Sequence, residues 1–92
     1  MSMLGNYKAT TNLISKTSGK GIANQIITQF ENGETLTSYG VLVGVMINGK
    51  VYLTPKHCFS ATTSKYVGQW CGLTKDERLW GLNNGTIELI EN

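Results

Sequence analysis

The pair His57-Cys58 is the first place in this 92-residue chain to look for a nucleophile. An imidazole can take the thiol proton and leave a reactive thiolate. Neighbours in an extended segment point to opposite sides, however, so the two side chains are expected to stay apart. Cys71 could approach His57 only through the fold. Cys58 and Cys71 read more simply as small apolar residues of the interior. A zinc site needs four ligands, and His57, Cys58 and Cys71 lack a familiar spacing, so no metal is expected. Gly19-Lys20-Gly21 has glycines around a lysine but not the Walker spacing, and it precedes a strand rather than opening a helix. Asp76 and Glu77 stand where the first turn of a helix is expected, and capping with the helix dipole accounts for both. The chain is therefore expected not to be an enzyme and to need no cofactor.

Two groups of residues could bind. Ser60-Ala61-Thr62-Thr63-Ser64-Lys65-Tyr66 is dense in hydroxyls ahead of an apolar helical face. It could hold an anion on free backbone N–H groups with Lys65, or it is a helix start with redundant caps and threonine–backbone bonds. The aromatics Tyr39, Tyr52, Tyr66, Trp70 and Trp80 raise base stacking, which would need basic residues interleaved on the same surface. Lys50 and Tyr52 are read as lying on different faces, and Trp70 and Trp80 as core against Gly44 and Leu53. Exposed tyrosines serve equally as anchors of a protein interface. The expected contact residues are Tyr39, Lys50 and Tyr52, with Ser60, Thr62, Thr63, Ser64, Lys65 and Tyr66.

Composition narrows the field. Apolar residues make up 40% and charged ones only 15%, so the polar surface comes from Thr, Ser, Asn, Gln and Gly. A net charge of +2 is too mild to predict nucleic-acid binding and excludes the dense acidic surface of a DNA mimic. The early lysines Lys8, Lys16 and Lys20 precede any acid. The N-terminus carries no apolar run of signal-peptide length. Val41 to Ile47, the longest apolar stretch, is far too short to span a membrane. With two cysteines, the chain is expected in a reducing compartment, the cytoplasm.

The elements that must position these residues follow from periodicity. A single domain of residues 1–92 is expected, with 1–20 a partly mobile arm in which Tyr7 to Ile14 could form an irregular strand. Ile22 to Phe30 alternates like a strand, and Asn32-Gly33 then suggests a type I′ hairpin pairing Phe30 with Thr35 and Ile26 with Tyr39. A longer loop would relieve the facing Glu31 and Glu34. Val41 to Ile47 and Lys50 to Leu53, joined by Asn48-Gly49, form the clearest hairpin, pairing Met46 with Val51 and Gly44 with Leu53. Gly44 leaves room for a helix or a large aromatic side chain. Gly40 is read as a bulge in one bent strand from Thr35 to Ile47. Beyond Pro55 the period becomes helical. Tyr66, Val67, Trp70 and Cys71 share a face, Thr62, Thr63 or Ser64 supplies the N-cap and Gly72 the C-terminal stop. Thr74-Lys75-Asp76-Glu77 is a capping box for a second helix that Asn84-Gly85 ends. Thr86 to Ile90 is a last strand, with Glu88 and Glu91 guarding an edge. The expected fold is α+β, an antiparallel sheet of four to five strands with two short helices on one face.

Ser38-Tyr39-Gly40, Asn48-Gly49-Lys50-Val51-Tyr52-Leu53-Thr54 and Ser60-Ala61-Thr62-Thr63-Ser64-Lys65-Tyr66 together resemble a family of small bacteriophage and prophage proteins of uncharacterised function. The likeness covers Thr37 to Leu73 and departs at Lys56-His57-Cys58-Phe59. It implies a phage origin, a bacterial host cytoplasm and no catalytic residue to transfer. By analogy with small phage proteins, it implies a stoichiometric inhibitor of a host protein or ribonucleoprotein complex, anti-CRISPR-like in action. Two alternatives stand beside it. One is a nucleic-acid-binding accessory protein using Lys8, Lys16, Lys20, Lys50, Lys56 and Lys65. The other is a self-associating structural protein, a homodimer through a sheet edge or an apolar sheet face. No membrane partner is expected.

Overall fold

A computed structural model describes residues 5–90, so the first residues of the expected arm and Glu91 lie outside it. The chain runs β1 (Tyr7–Ile14), β2 (Gly21–Phe30), β3 (Gly33–Ser38), β4 (Val41–Ile47), β5 (Lys50–Leu53), a 3-10 turn (Pro55–Cys58), α1 (Ala61–Cys71), α2 (Lys75–Asn84) and β6 (Glu88–Leu89). The strands form one six-stranded sheet in chain order. Neighbours pair antiparallel from β1 to β5, and β6 adds parallel to β5. The α+β class stands, with one strand more than the sequence suggested. That strand is β1, the irregular strand read over Tyr7 to Ile14 but not counted in the sheet; it is a nearly wholly exposed edge laddered to β2, with only Leu13 buried. Backbone pairing, not apolar patterning, holds it, so its composition gives little signal.

The Asn48-Gly49 hairpin has the expected register, Gly44 opposite Leu53 and Met46 opposite Val51. The first hairpin does not. Gln29 pairs with Glu34 and Ile26 with Thr37, a slip of two positions that lengthens the loop and keeps every side chain on its expected face. Gly33 is a strand residue here: a Cβ on it would sit 1.8 Å from the Met46 carbonyl oxygen. The tight turn lies instead at Tyr39-Gly40, where φ is +51° and +79° and Ser38 pairs directly with Val41. These are the two positive-φ positions of a type I′ loop. The bulge expected at Gly40 occurs instead at Val43, opposite the step between Leu36 and Thr37, where the register shift brings Val43 into the core.

Both helices cover one face of the sheet. Leu36, Val43, Leu53, Val67 and Ile87 form the buried cluster, with Trp70, Leu73 and Leu82 against it. Trp70 lies directly over Gly44, where a Cβ would come within 2.6 Å of its ring, and its indole N–H donates to Glu34 Oε2 at 2.7 Å. Ser60, earlier than any of the three expected caps, accepts from the Thr63 N–H and starts α1. The capping box of α2 forms as read, Thr74 with Glu77. No helix among the described residues is long and apolar enough to cross a membrane.

Candidate functional site

The hydroxyl-rich start of α1 is mostly structural. Ser60 is the cap, and the buried Thr63 shares a 3.0 Å hydrogen bond with Ser38 Oγ that docks the first turn of α1 on β3. Ser64 Oγ accepts from the Arg78 guanidinium at 2.6 Å and so joins the two helices. That leaves Thr62 and Lys65 exposed and Tyr66 half-buried, with Lys65 Nζ 5.4 Å from the Tyr66 ring centroid. Of the whole segment, these side chains are the ones free to meet a partner.

Lys50 and Tyr52 lie on the sheet face away from the helices. Residues two apart on a strand point the same way. Lys50 Nζ accordingly stands 5.4 Å from the Tyr52 ring centroid, which corrects the reading that placed them on different faces. Glu88, paired with Tyr52 across the parallel ladder, takes a 2.9 Å salt bridge from Lys50 and holds that ammonium above the ordinary lysine pKa. Tyr39 is exposed at the tip of the β3–β4 turn, beside the start of α1 through Ser38. The sheet residues and the α1 residues therefore occupy opposite faces, with Tyr39 at the end of the molecule between them.

Trp80 was expected in the core and is 69% exposed. The buried positions of α2 are Arg78 and Gly81, so its inner face excludes position 80. Trp80 lines a groove of about 340 Å³ with Lys50, Val51, Leu73 and Ile87. An indole and a lysine therefore border one concave surface that leads from the β4–β5 turn to α2.

His57 and Cys58 share a 3-10 turn, not an extended segment, so they do approach, at 3.8 Å between Nε2 and Sγ. The imidazole is a poor base for a thiol here. Burial lowers its pKa first, and the Arg78 and Lys75 charges lower it further. Burial pushes the Cys71 thiol the other way, up and toward its protonated form. Both cysteines are free thiols and half-buried. Among the described residues no group of three or more His, Cys, Asp or Glu comes together to hold a metal.

Arg78 is the residue that the sequence reading passed over. It is the chain's one arginine, and it is 0% exposed on α2. Its guanidinium donates to Leu73 O at 2.8 Å and to Ser64 Oγ, while Nε has no hydrogen-bond partner. The absence of a side chain at Gly68 leaves it room, since a Cβ there would meet Nη1 at 2.9 Å. Among the described residues the one ion pair is Lys50 with Glu88, so this buried cation lies beside no carboxylate. The available signal was positional: Arg78 stands one helical turn beyond the cap residue Thr74 and three before Gly81, on the inner stripe of α2.

A model of a family of unknown function, DUF8033, matches residues 4–84. Neither a curated protein nor a solved structure matches the chain. With most of its length covered by that model, the chain belongs to this family of unknown function.

Proposed function

We propose that this member of a family of unknown function is a small phage-encoded binding protein that acts stoichiometrically on a host protein or ribonucleoprotein complex in the bacterial cytoplasm. The observation that carries the reading is the groove shared by Trp80 and Lys50. A 69% exposed indole next to a lysine is costly to leave in water, and tryptophan is among the residues that most often anchor protein interfaces. Tyr52 lies beside Lys50 on the sheet face away from the helices and adds a contact there, and Tyr39, Thr62, Lys65 and Tyr66 offer a further contact region at the start of α1. The resemblance to phage proteins supplies the host setting, and an anti-CRISPR-like inhibitor is the form of action we favour.

Tagged wild-type protein incubated with host lysate at low salt should recover a partner in fixed ratio. Trp80→Ala and Tyr52→Ala should each weaken recovery by roughly tenfold or more, as for anchor residues worth about 2 kcal/mol. Recovery of no stable partner, or recovery indifferent to both substitutions, would overturn the reading. A complex formed only between copies of this chain, seen as concentration-dependent light scattering, would replace it with self-association.

A further inference from the structure

A second concavity, of about 510 Å³, lies between α1, the start of α2 and the turn after β1. Lys16, Lys65, Lys75 and Arg78 line it, and no Asp or Glu does. These cations come from three separate parts of the chain. Gln69 of α1 donates to Ile14 O and ties the end of β1 to the helix, which sets Lys16 at the rim. Lys16, Lys65 and Lys75 are exposed, whereas Arg78 is wholly buried behind them. With Nε unpartnered and no carboxylate beside it, its charge is not neutralised inside the protein. Low-dielectric walls focus such a field into the nearest opening. His57 adds no further positive charge, because burial, with Arg78 and Lys75 beside it, holds its imidazole toward the neutral form. The N-terminal dipole of α2 adds little to this field, since Asp76 and Glu77 in its first turn already answer it.

We infer that this concavity is a docking site for the phosphodiester backbone of a nucleic acid, held by charge without reading the bases. Stacking on bases needs aromatic faces, and no aromatic side chain lines the cavity. Its amide, Gln69, is already engaged by β1. A single small dianion needs one focus of charge. Three rim lysines on separate elements suit a chain of phosphates passing over them, with Arg78 as the fixed charge beneath. The inference rests on the binding reading above and names the nucleic-acid component that a ribonucleoprotein partner would present. It selects Lys16 and Lys65 from the lysines expected to bind nucleic acid and adds Lys75 and Arg78.

The test is fluorescence anisotropy of labelled single-stranded RNA, single-stranded DNA and duplex DNA of mixed sequence, titrated with the intact protein at several salt concentrations. With about three phosphate contacts, log K should fall against log salt with a slope of about −2.1 to −2.7, or roughly 20- to 40-fold between about 50 and 200 mM. Comparing the probes shows which form of backbone fits. Lys16→Gln, Lys65→Gln and Lys75→Gln should each make the slope shallower by about 0.7–0.9. Lys8→Gln, at a different concavity lined also by Glu31 and Glu34, should leave it unchanged. These rim substitutions touch exposed side chains, so folding is not at stake. No salt-dependent binding, equal loss from Lys8→Gln, or full competition by inorganic phosphate at matched ionic strength would overturn the site. Partner capture through Trp80 beside a flat nucleic-acid titration would remove this inference and leave the binding reading standing.

Discussion

At Gly44 the ring of Trp70 presses against the sheet so closely that a methyl group would come within 2.6 Å of it. The ring has nowhere easy to go, because its N–H is held by Glu34 and its other side faces the core. Gly44→Ala should therefore destabilise the protein by about 1–3 kcal/mol, the usual cost of inserting a methylene into a filled interior. Urea unfolding checks this, with a lowered midpoint at unchanged slope as the expected result. A neutral substitution would mean that Trp70 relaxes more freely than its contacts indicate. Arg78 shows the opposite economy. Its guanidinium satisfies Leu73 O and Ser64 Oγ and still carries an unanswered charge. Two structural bonds explain why it is held in place, and they do not explain why the residue is cationic.

The elements differ in how openly the sequence declares them. Asn48-Gly49 was legible because the turn residues and both flanking strand patterns agree on one register. Asn32-Gly33 misled because its glycine is required by the neighbouring backbone of β4, not by a turn. The true two-residue turn at Tyr39-Gly40 puts a tyrosine at positive φ, a choice that no turn preference would suggest. Likewise the α1 cap fell on Ser60, because several hydroxyls in a row are interchangeable until docking on β3 selects which of them turns inward. The candidate site was less legible: Lys50 and Tyr52 were read on different faces although residues two apart on a strand share one, and the rim of cations around Arg78 is assembled from distant segments that no local pattern links. From these roles a contrast follows within α1. Ser60→Ala should cost about 1 kcal/mol by removing the cap, whereas Thr62→Ala, exposed in the same turn, should leave thermal stability within about 0.5 kcal/mol. Equal effects in thermal melts would mean that the cap is shared between hydroxyls.

At the scale of the whole molecule, one buried imidazole couples stability to pH. His57 has a folded-state pKa below its ordinary 6.5, chiefly through burial and then through Arg78 and Lys75. The unfolded chain therefore binds a proton at His57 more readily than the folded one, and stability rises with pH across that window. Stability should be full above the unfolded value and should be lost as pH falls from about 6.5 toward the lowered folded value. Melting temperatures between about pH 7 and 5 should decline for the wild type and much less for His57→Gln, before carboxylates begin to titrate at lower pH. An unchanged slope in the variant would assign the effect to other groups.

The order of the sheet sets a schedule for how the chain is made. Strands β1 to β5 stand side by side as they occur in the sequence, so each can join its predecessor on leaving the ribosome. The helices that cover Leu36, Val43 and Leu53 are translated only afterwards. At roughly 5–20 residues per second, the stretch from Ala61 to Asn84 takes about 1–5 s to synthesise. Until those helices fold onto it, the sheet has no cover over Leu36, Val43 and Leu53, and that apolar face is open to a chaperone or a second copy of the chain.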